Sequence, residues 1–481
     1  MPKRAIAGYH PQCPLPSEPI ANMKISLKQS TALLLALVMC SAQAAETDAL
    51  DLSFGQNGSV DINALTGASL AFCTTVAAQN VGVAAQRLLL GCNLDNVQTV
   101  LGLRHDGTLD PQFGTGGRAI LPNLFFQRGG NIRGLLAQSE ITLMQIQAAD
   151  GGACGTKTLI TRLDAQGQRI PGYGGLLMGA RFFELEPFGS SYLGCSPSIG
   201  AESEGGITTM TLPIGETETR PAVVSLDDRG EMRNPFQPVR RLAGFSSISA
   251  ISPVGQNTLI AGLNAQGVAQ IASFNPLGQI ESSFGGGTGT IVLPAPGPAD
   301  SNFPLMALAT RPNGPPGPPD RLIAVSLFNE GTTSGLLVSA LFFNGDRDLT
   351  FNASGALGAT PGQALLPLSL LPGAQRIDFA YLLMDAQRQR MTLVVRINNF
   401  AGDAFALRLL ADGQLDPDFR SGAQNGVVRL MRQKSEAILF AGAMIDDKLV
   451  YVDGHQSQFP FFQTTVSRLG GNQIIFANGF E

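Results

Sequence analysis

The chain has 481 residues, a formal net charge of -5, 57 glycines, 30 prolines and no tryptophan. That length is ample for a large core or several domains, and the acidic balance with scattered basic residues excludes an electrostatic footprint for nucleic acid. No run after residue 44 reaches the roughly 18 consecutive apolar residues that a membrane-spanning helix needs.

At the N-terminus, "MKISLKQSTALLLALVMCSAQAAETDA" begins at Met23. Lys24 and Lys28 form a basic region, an apolar stretch runs from Thr31 to Met39, and Ala42-Gln43-Ala44 supplies small residues for cleavage. This three-part order predicts a secretory signal peptide over residues 23–44, with cleavage after Ala44. Residues 1–22 lack apolar periodicity and would bury that signal, which points to a start site called too early. Removing residues 1–44 takes away four basic and one acidic side chain and moves the formal charge from -5 to -8. The expected location is exported, periplasmic or extracellular.

Four cysteines follow the leader: Cys73, Cys92, Cys154 and Cys195. An even count in an exported chain favours disulfides. Cys73 in "SLAFCTTVAAQ" and Cys92 in "RLLLGCNL" lie about equally far from a turn near Asn80 to Val83, so they are expected to face each other across two antiparallel strands. Cys154 and Cys195 are then left to pair. Metal binding by these cysteines is disfavoured, because the spacings are not C-x-x-C and no histidine lies near.

The stretch "HDGTLDPQFGTGG" from His105 supplies a template of Gly107, Asp110 and Phe113. The same phase recurs with Asp48, Asp51 and Phe54; Gly167 and Tyr173; Gly230 and Phe236; Gly278, Glu281 and Phe284; Gly345, Asp348 and Phe351; and Gly413, Asp416 and Phe419. Aromatic residues are 7% of the chain, so seven aromatics in phase are not a chance pattern. The six intervals average about 61 residues. An alternating strand precedes each of the last six turns, from "VQTVLGL" to "FALRL", and a further one, "TTVSRL", lies near the C-terminus with no turn after it. More continuous apolar runs such as "RLLLGCNL" and "KLVYVDG" bring each unit to about four strands.

Four short strands per unit, repeated seven times, predict an all-β, seven-bladed β-propeller over residues 45–469, closed by joining the two chain ends, with a tail at 470–481. No window outside the leader shows a helical period.

The alternating strand, the "DGxLDxxFGxxG" turn and the later apolar run together resemble the delta-60 repeat of bacterial exported proteins. The likeness is strong at Asp106 to Gly117 and Asp412 to Phe419 and weak where Ile170 and Arg233 replace the acid. That family is defined by its repeat and implies no catalytic residue. The closing "IIFANGFE" is similar to tails of exported proteins of some Gram-negative bacteria.

Within each turn, glycine supplies positive φ, the acid accepts backbone N–H bonds, and the aromatic plugs the turn into the core between blades. The repeat aromatics Phe54, Phe113, Tyr173, Phe236, Phe284, Phe351 and Phe419 are therefore structural. A rival reading takes Asp106, Asp110, Asp412, Asp416 and Asp418 as calcium ligands, but only two or three turns carry enough carboxylates. No nucleophile elbow or phosphate loop is present, and "SFGGGTGT" at Ser283 to Thr290 precedes a strand and lacks the closing G-K-S/T. His105 and His455 lie far apart in the mature chain and read as loop histidines.

These features favour a non-catalytic, monomeric binding or surface protein without a cofactor, whose ligand is an unknown protein, surface or small molecule. The alternative is an exported hydrolase or lyase using carboxylates or a metal in the propeller channel. The repeated turns keep their chemistry while connections such as "PNLFFQRGGN" and "DGHQSQFPFFQ" do not, which places the binding face opposite the turns, with Phe125, Phe126, Phe459, Phe461 and Phe462 as exposed candidates.

Overall fold

The computed structural model describes residues 50–470 apart from 82–85, 122–130, 138–139, 147–156, 176–178, 185–198, 204–206, 215–219, 232–239, 242–243, 255–256, 276–277, 294–304, 313–318, 331–332, 358–359, 386–388, 399–402, 422–423, 431–436, 446–447 and 459–460. The leader, the tail from 471, Cys154, Cys195, Phe125, Phe126, Phe236 and Phe459 lie outside the described residues, as do the side chains of Phe461 and Phe462.

The described strands are short, antiparallel and gathered in four-stranded sheets. Six of these sheets use strands consecutive in the chain apart from one small insertion. Blade 1 contains β2 (Ala71–Asn80), β3 (Gln86–Leu94), β4 (Val97–Leu103) and β5 (Arg118–Ile120). Blade 2 contains β6 (Asn131–Ala137), β7 (Ile141–Ile146), β8 (Lys157–Leu163) and β9 (Ala180–Glu184), and blade 3 contains β10 (Ile199–Ser203), β11 (Ile207–Ile214), β12 (Arg220–Leu226) and β13 (Arg240–Arg241). Blade 4 is β14 (Ser247–Val254), β15 (Asn257–Leu263), β16 (Ala269–Phe274) and β17 (Thr290–Val292). Blade 5 is β18 (Leu305–Pro312), β19 (Pro319–Glu330), β20 (Thr333–Phe342) and β21 (Gln363–Pro367). Blade 6 is β22 (Ile377–Asp385), β23 (Arg390–Ile397), β24 (Ala404–Leu409) and β27 (Val427–Arg429), with a ribbon of β25 (Arg420–Ser421) and β26 (Gln424–Asn425) inserted before its last strand.

A further four-stranded sheet, the closing blade, joins the two ends. It consists of β28 (Ala437–Ile445), β29 (Lys448–Gln458), β30 (Phe461–Arg468) and β1 (Ser59–Asp61). Ser59 pairs with Ser467, and Leu50 bridges Leu469. The first strands of successive sheets are neighbours throughout: β2 with β6, β6 with β10, β10 with β14, β14 with β18, β18 with β22, β22 with β28, and β28 back with β2. A β-propeller follows from this arrangement, with first strands innermost.

The core lies between blades. Leu88, Leu90 and Cys92 of blade 1 pack against Val450, Val452 and Val466 of the closing blade. On its other face, Leu89, Val100 and Phe113 pack against Ile132, Ile141 and Leu143 of blade 2. Strand alternation thus gives blade 1 two apolar faces, which explains why its second strand reads as a continuous apolar run. The Cys73–Cys92 disulfide is present, joining directly opposed residues of β2 and β3.

Among the described residues one α-helix appears that the sequence does not announce: α1 (Ile62–Thr66), capped by the Asp61 carboxylate on Ala64 N–H. A helix of five residues is too short to display a period.

Candidate functional site

The repeated turns lie between third and fourth strands, and their described aromatics are buried. Phe54, Phe113, Tyr173, Phe284, Phe351 and Phe419 are all 6% exposed or less. Each acid closes a local loop by accepting the N–H two residues on: Asp51 from Ser53 at 3.1 Å, Asp110 from Gln112 at 3.0 Å, Asp348 from Thr350 at 3.1 Å, and Asp416 from Asp418 at 3.0 Å.

The other carboxylate oxygen takes a cation. Arg87 Nε sits 2.6 Å from Asp110 Oδ2, and Arg408 Nε sits 2.8 Å from Asp416 Oδ2. Asp51 Oδ2 accepts from Arg468 Nε at 2.8 Å and from Lys448 Nζ at 2.5 Å. Arg321 pairs with Asp348. The guanidinium carbons of Arg87, Arg162, Arg408 and Arg468 lie 5.1, 5.3, 4.4 and 4.8 Å from the ring centroids of Phe113, Tyr173, Phe419 and Phe54. Each of these arginines therefore carries an aromatic plate beneath it and, in three of the four cases, the turn carboxylate beside it.

The exception is blade 2, where Ile170 replaces the acid. There the carboxylate comes from Glu140, just before β7, and lies 2.8 Å from Arg162 Nε. The charge pair survives although the residue carrying the negative end has moved to another part of the blade.

The latch also reaches the next blade. Gly55 N–H donates to Asp106 O at 2.8 Å, Gly114 to Gln166 O at 2.7 Å, Gly174 to Arg229 O at 2.8 Å, Gly285 to Phe343 O at 2.9 Å, and Asn352 to Asp412 O at 2.6 Å. Arg87 Nη1 donates to Ala165 O at 2.8 Å, Arg162 Nη1 to Asp228 O at 3.1 Å, and Arg468 Nη1 to His105 O. The turn glycine has a second duty beyond its positive φ: a Cβ on Gly167 would stand 2.7 Å from the Phe113 ring of the preceding blade, and one on Gly413 would stand 2.8 Å from Phe351.

Two carboxylates show the electrostatic cost and its compensation. Burial works to raise the Asp51 carboxyl, and hydrogen bonds from Lys448 and Ser53 with the Arg468 charge overcome it, leaving the group far below the usual carboxylate range. Asp348 is also lowered, with burial opposing hydrogen bonds from Thr350 and the charge of Arg321.

The five calcium candidates divide between blades 1 and 6. Asp110 and Asp416 are buried and spent on arginines; Asp106 accepts from Thr108 and Asp412 from Gln414 N–H; and Asp418 is exposed. Among the described residues no group of three or more metal-ligating side chains converges. The fold does not bring these five carboxylates together.

On the inner wall, every first strand carries a register shift against its second strand, at Thr74, Arg133, Gly200, Ser249, Met306, Asp378 and Phe440. Bulges disrupt the ladder locally, and here one recurs near the start of each first strand with unlike residues. Phe440 meets Phe72 edge-on at 4.9 Å, and Asp378 pairs with Arg376 at 2.7 Å.

No family model matches the sequence, and a search of curated proteins finds no match. Solved structures with a similar course include the β-propeller domain of the Trilobed protease from Pyrococcus furiosus, with a TM-score of 0.41, 8% identity, and coverage of 83% of this chain and 95% of that one. The polysaccharide lyase Uly1 gives a TM-score of 0.46 at 10% identity, covering 86% of this chain and 99% of that one. A protein of unknown function from Dyadobacter fermentans DSM 18053 gives 0.38 at 9% identity, covering 86% and 99%.

Proposed function

We propose that the protein is an exported, non-catalytic binding propeller of seven blades built from delta-60-like repeats. Support for the blade number comes from the closing sheet, which adds the two chain ends to six sheets of consecutive strands. The observation that carries the non-catalytic reading is the fate of the buried turn carboxylates. Asp51, Asp110, Asp348 and Asp416 each face a cation of their own blade, so each carboxylate is spent on an internal ion pair, which suits a scaffold. The Cys73–Cys92 disulfide suits an oxidising, exported setting.

The binding face in this reading is formed by the second hairpin of each blade and the links between blades. In an antiparallel four-stranded sheet these emerge opposite the first and third connections, so they stand across the ring from the latches. Phe125, Phe126, Phe459, Phe461 and Phe462 fall in these connections or at their strand ends.

A thermal-shift screen of the exported chain against metals, glycans and peptides tests the class. Stabilisation by a glycan, peptide or protein without turnover is the expected result; turnover of a glycan or peptide would overturn it. Once a ligand is in hand, replacing the second hairpins of blades 2 and 5 should abolish binding, while replacing exposed residues of the repeated turns should not. N-terminal sequencing of the exported protein is expected to begin at Ala45.

A further inference from the structure

The latch is not distributed evenly around the ring. Strand register identifies its cation positions in every blade. Leu88 pairs with Leu103 in blade 1, and the residues just before these two, Arg87 and Gly102, occupy the two places from which a cation can reach the turn. The same register sets Thr208 opposite Leu226 in blade 3 and Thr258 opposite Phe274 in blade 4. The equivalent places therefore hold Ile207 and Ser225 in blade 3, and Asn257 and Ser273 in blade 4, none of them charged.

The turns themselves have changed in step. Blade 3 carries Arg233 where the acid stands elsewhere. Blade 4 keeps Glu281, but this carboxylate is only partly buried and its hydrogen bonds come from Ser283. By contrast, among the described residues the turn of the closing blade is heavily tied. Asp51 there holds Ser53, Lys448 and Arg468, Arg468 lies over Phe54 and reaches His105 O, and Ser59 and Ser467 hydroxyls meet at 2.8 Å.

We propose that the ring yields at blades 3 and 4, and that the seam where the chain ends meet is its strongest junction. Local opening follows the distribution of buried contacts, and segments that order on binding belong to the weakly held end of that distribution. Blades 3 and 4 thus form a hinge sector through which the ring can loosen while the seam stays shut. This inference rests on the seven-bladed reading.

Hydrogen exchange with mass spectrometry on the exported protein tests it. Amides of β11, β12, β15 and β16 should exchange about tenfold or more faster than those of β29 and β30. Equal rates, or faster exchange in β29 and β30, would overturn the proposal. Ser273→Arg, which puts a cation where blades 2, 6 and the closing blade have one, should slow exchange in β15 and β16 several-fold and leave β29 and β30 unchanged; a folded variant with no slowing counts against the proposal. Should that variant fail to fold, Asn257→Arg places the cation from the second strand instead and is judged by the same readout. Failure of the ring reading has a different signature, because Ser59–Asp61 would then exchange as an unpaired end whatever blades 3 and 4 do.

Discussion

Blades 1 and 6 hold the same latch by different means. In blade 1 the cation over the turn is Arg87, on the second strand, and the third strand offers Gly102, where a Cβ would stand 2.7 Å from the Phe113 ring. In blade 6 the cation over the ring is Arg408, on the third strand, with Arg390 of the second strand 3.5 Å from the same carboxylate. The difference teaches that the repeated feature is a positive charge at one point above an aromatic plate, and that which strand delivers it is free to change.

The largest expected effect comes from removing the plate. Phe113→Ala and Phe419→Ala should each lower stability by roughly 3 to 5 kcal/mol, read from denaturant midpoints, because both rings are buried. If both variants melt with the parent, the rings are not structural and the comparison between the blades loses its common element. Removing the charge comes next. Arg87→Met should cost about 3 kcal/mol by removing the close cation of the buried Asp110 carboxylate, Arg408→Met should cost less because Arg390 stays 3.5 Å from Asp416, and Asp416→Asn added to Arg408→Met should recover part of that loss. Recovery in blade 6 without a matching recovery from Asp110→Asn in blade 1 would show that the two latches differ in energy as well as in layout.

Opening the Cys73–Cys92 bond by Cys73→Ser with Cys92→Ser should cost about 3 kcal/mol, measured against the parent under non-reducing conditions. That loss belongs to blade 1 alone and gives a scale for its latch. Acid should act on the closing blade and blade 5. Asp51 and Asp348 are lowered in the folded state, so their contribution is present above the ordinary carboxylate range and is lost as pH falls through their folded values. A melting profile that falls with acid in the parent, and falls less in Asp51→Asn, is the expected outcome. The smallest effect is Thr108→Ala, which removes the hydroxyl donor to Asp106 and should cost about 0.5 to 1 kcal/mol.

How much of this was legible in the sequence depends on distance along the chain. The turn glycine, acid and aromatic lie within seven residues, so their phase is visible without a structure, and their burial follows from the aromatic alone. Arg87 and Arg408 were not visible as partners, because they sit on different strands and only the register of β3 against β4, or β23 against β24, shows that they converge. A signal did exist: a small residue precedes the last leucine of the third strand in "VLGL" and "LVSAL", where Arg87 and Arg321 open the second strand, and arginine precedes it in "TLITRL", "FALRL" and "TTVSRL". The partners of Asp110 and Asp416 were hidden for the same reason, since a carboxylate count cannot reveal that the counter-charge is an arginine of another strand.

The seam between Ser59 and Ser467 has a consequence for the order of events in the cell, since the two residues are 408 positions apart. During synthesis the turn at Asp51 to Phe54 emerges 397 and 417 residues before its partners Lys448 and Arg468. An early blade can zip from neighbouring strands as they appear, but the turn at Asp51 to Phe54 must wait, with Phe54 uncovered, until Lys448 and Arg468 have been made. Closing so long a span is slow because its contacts are non-local, while its entropic penalty grows only with the logarithm of length. The aromatic turn at Phe54 is therefore among the last parts of the fold to find its partners, although it is among the first to be made.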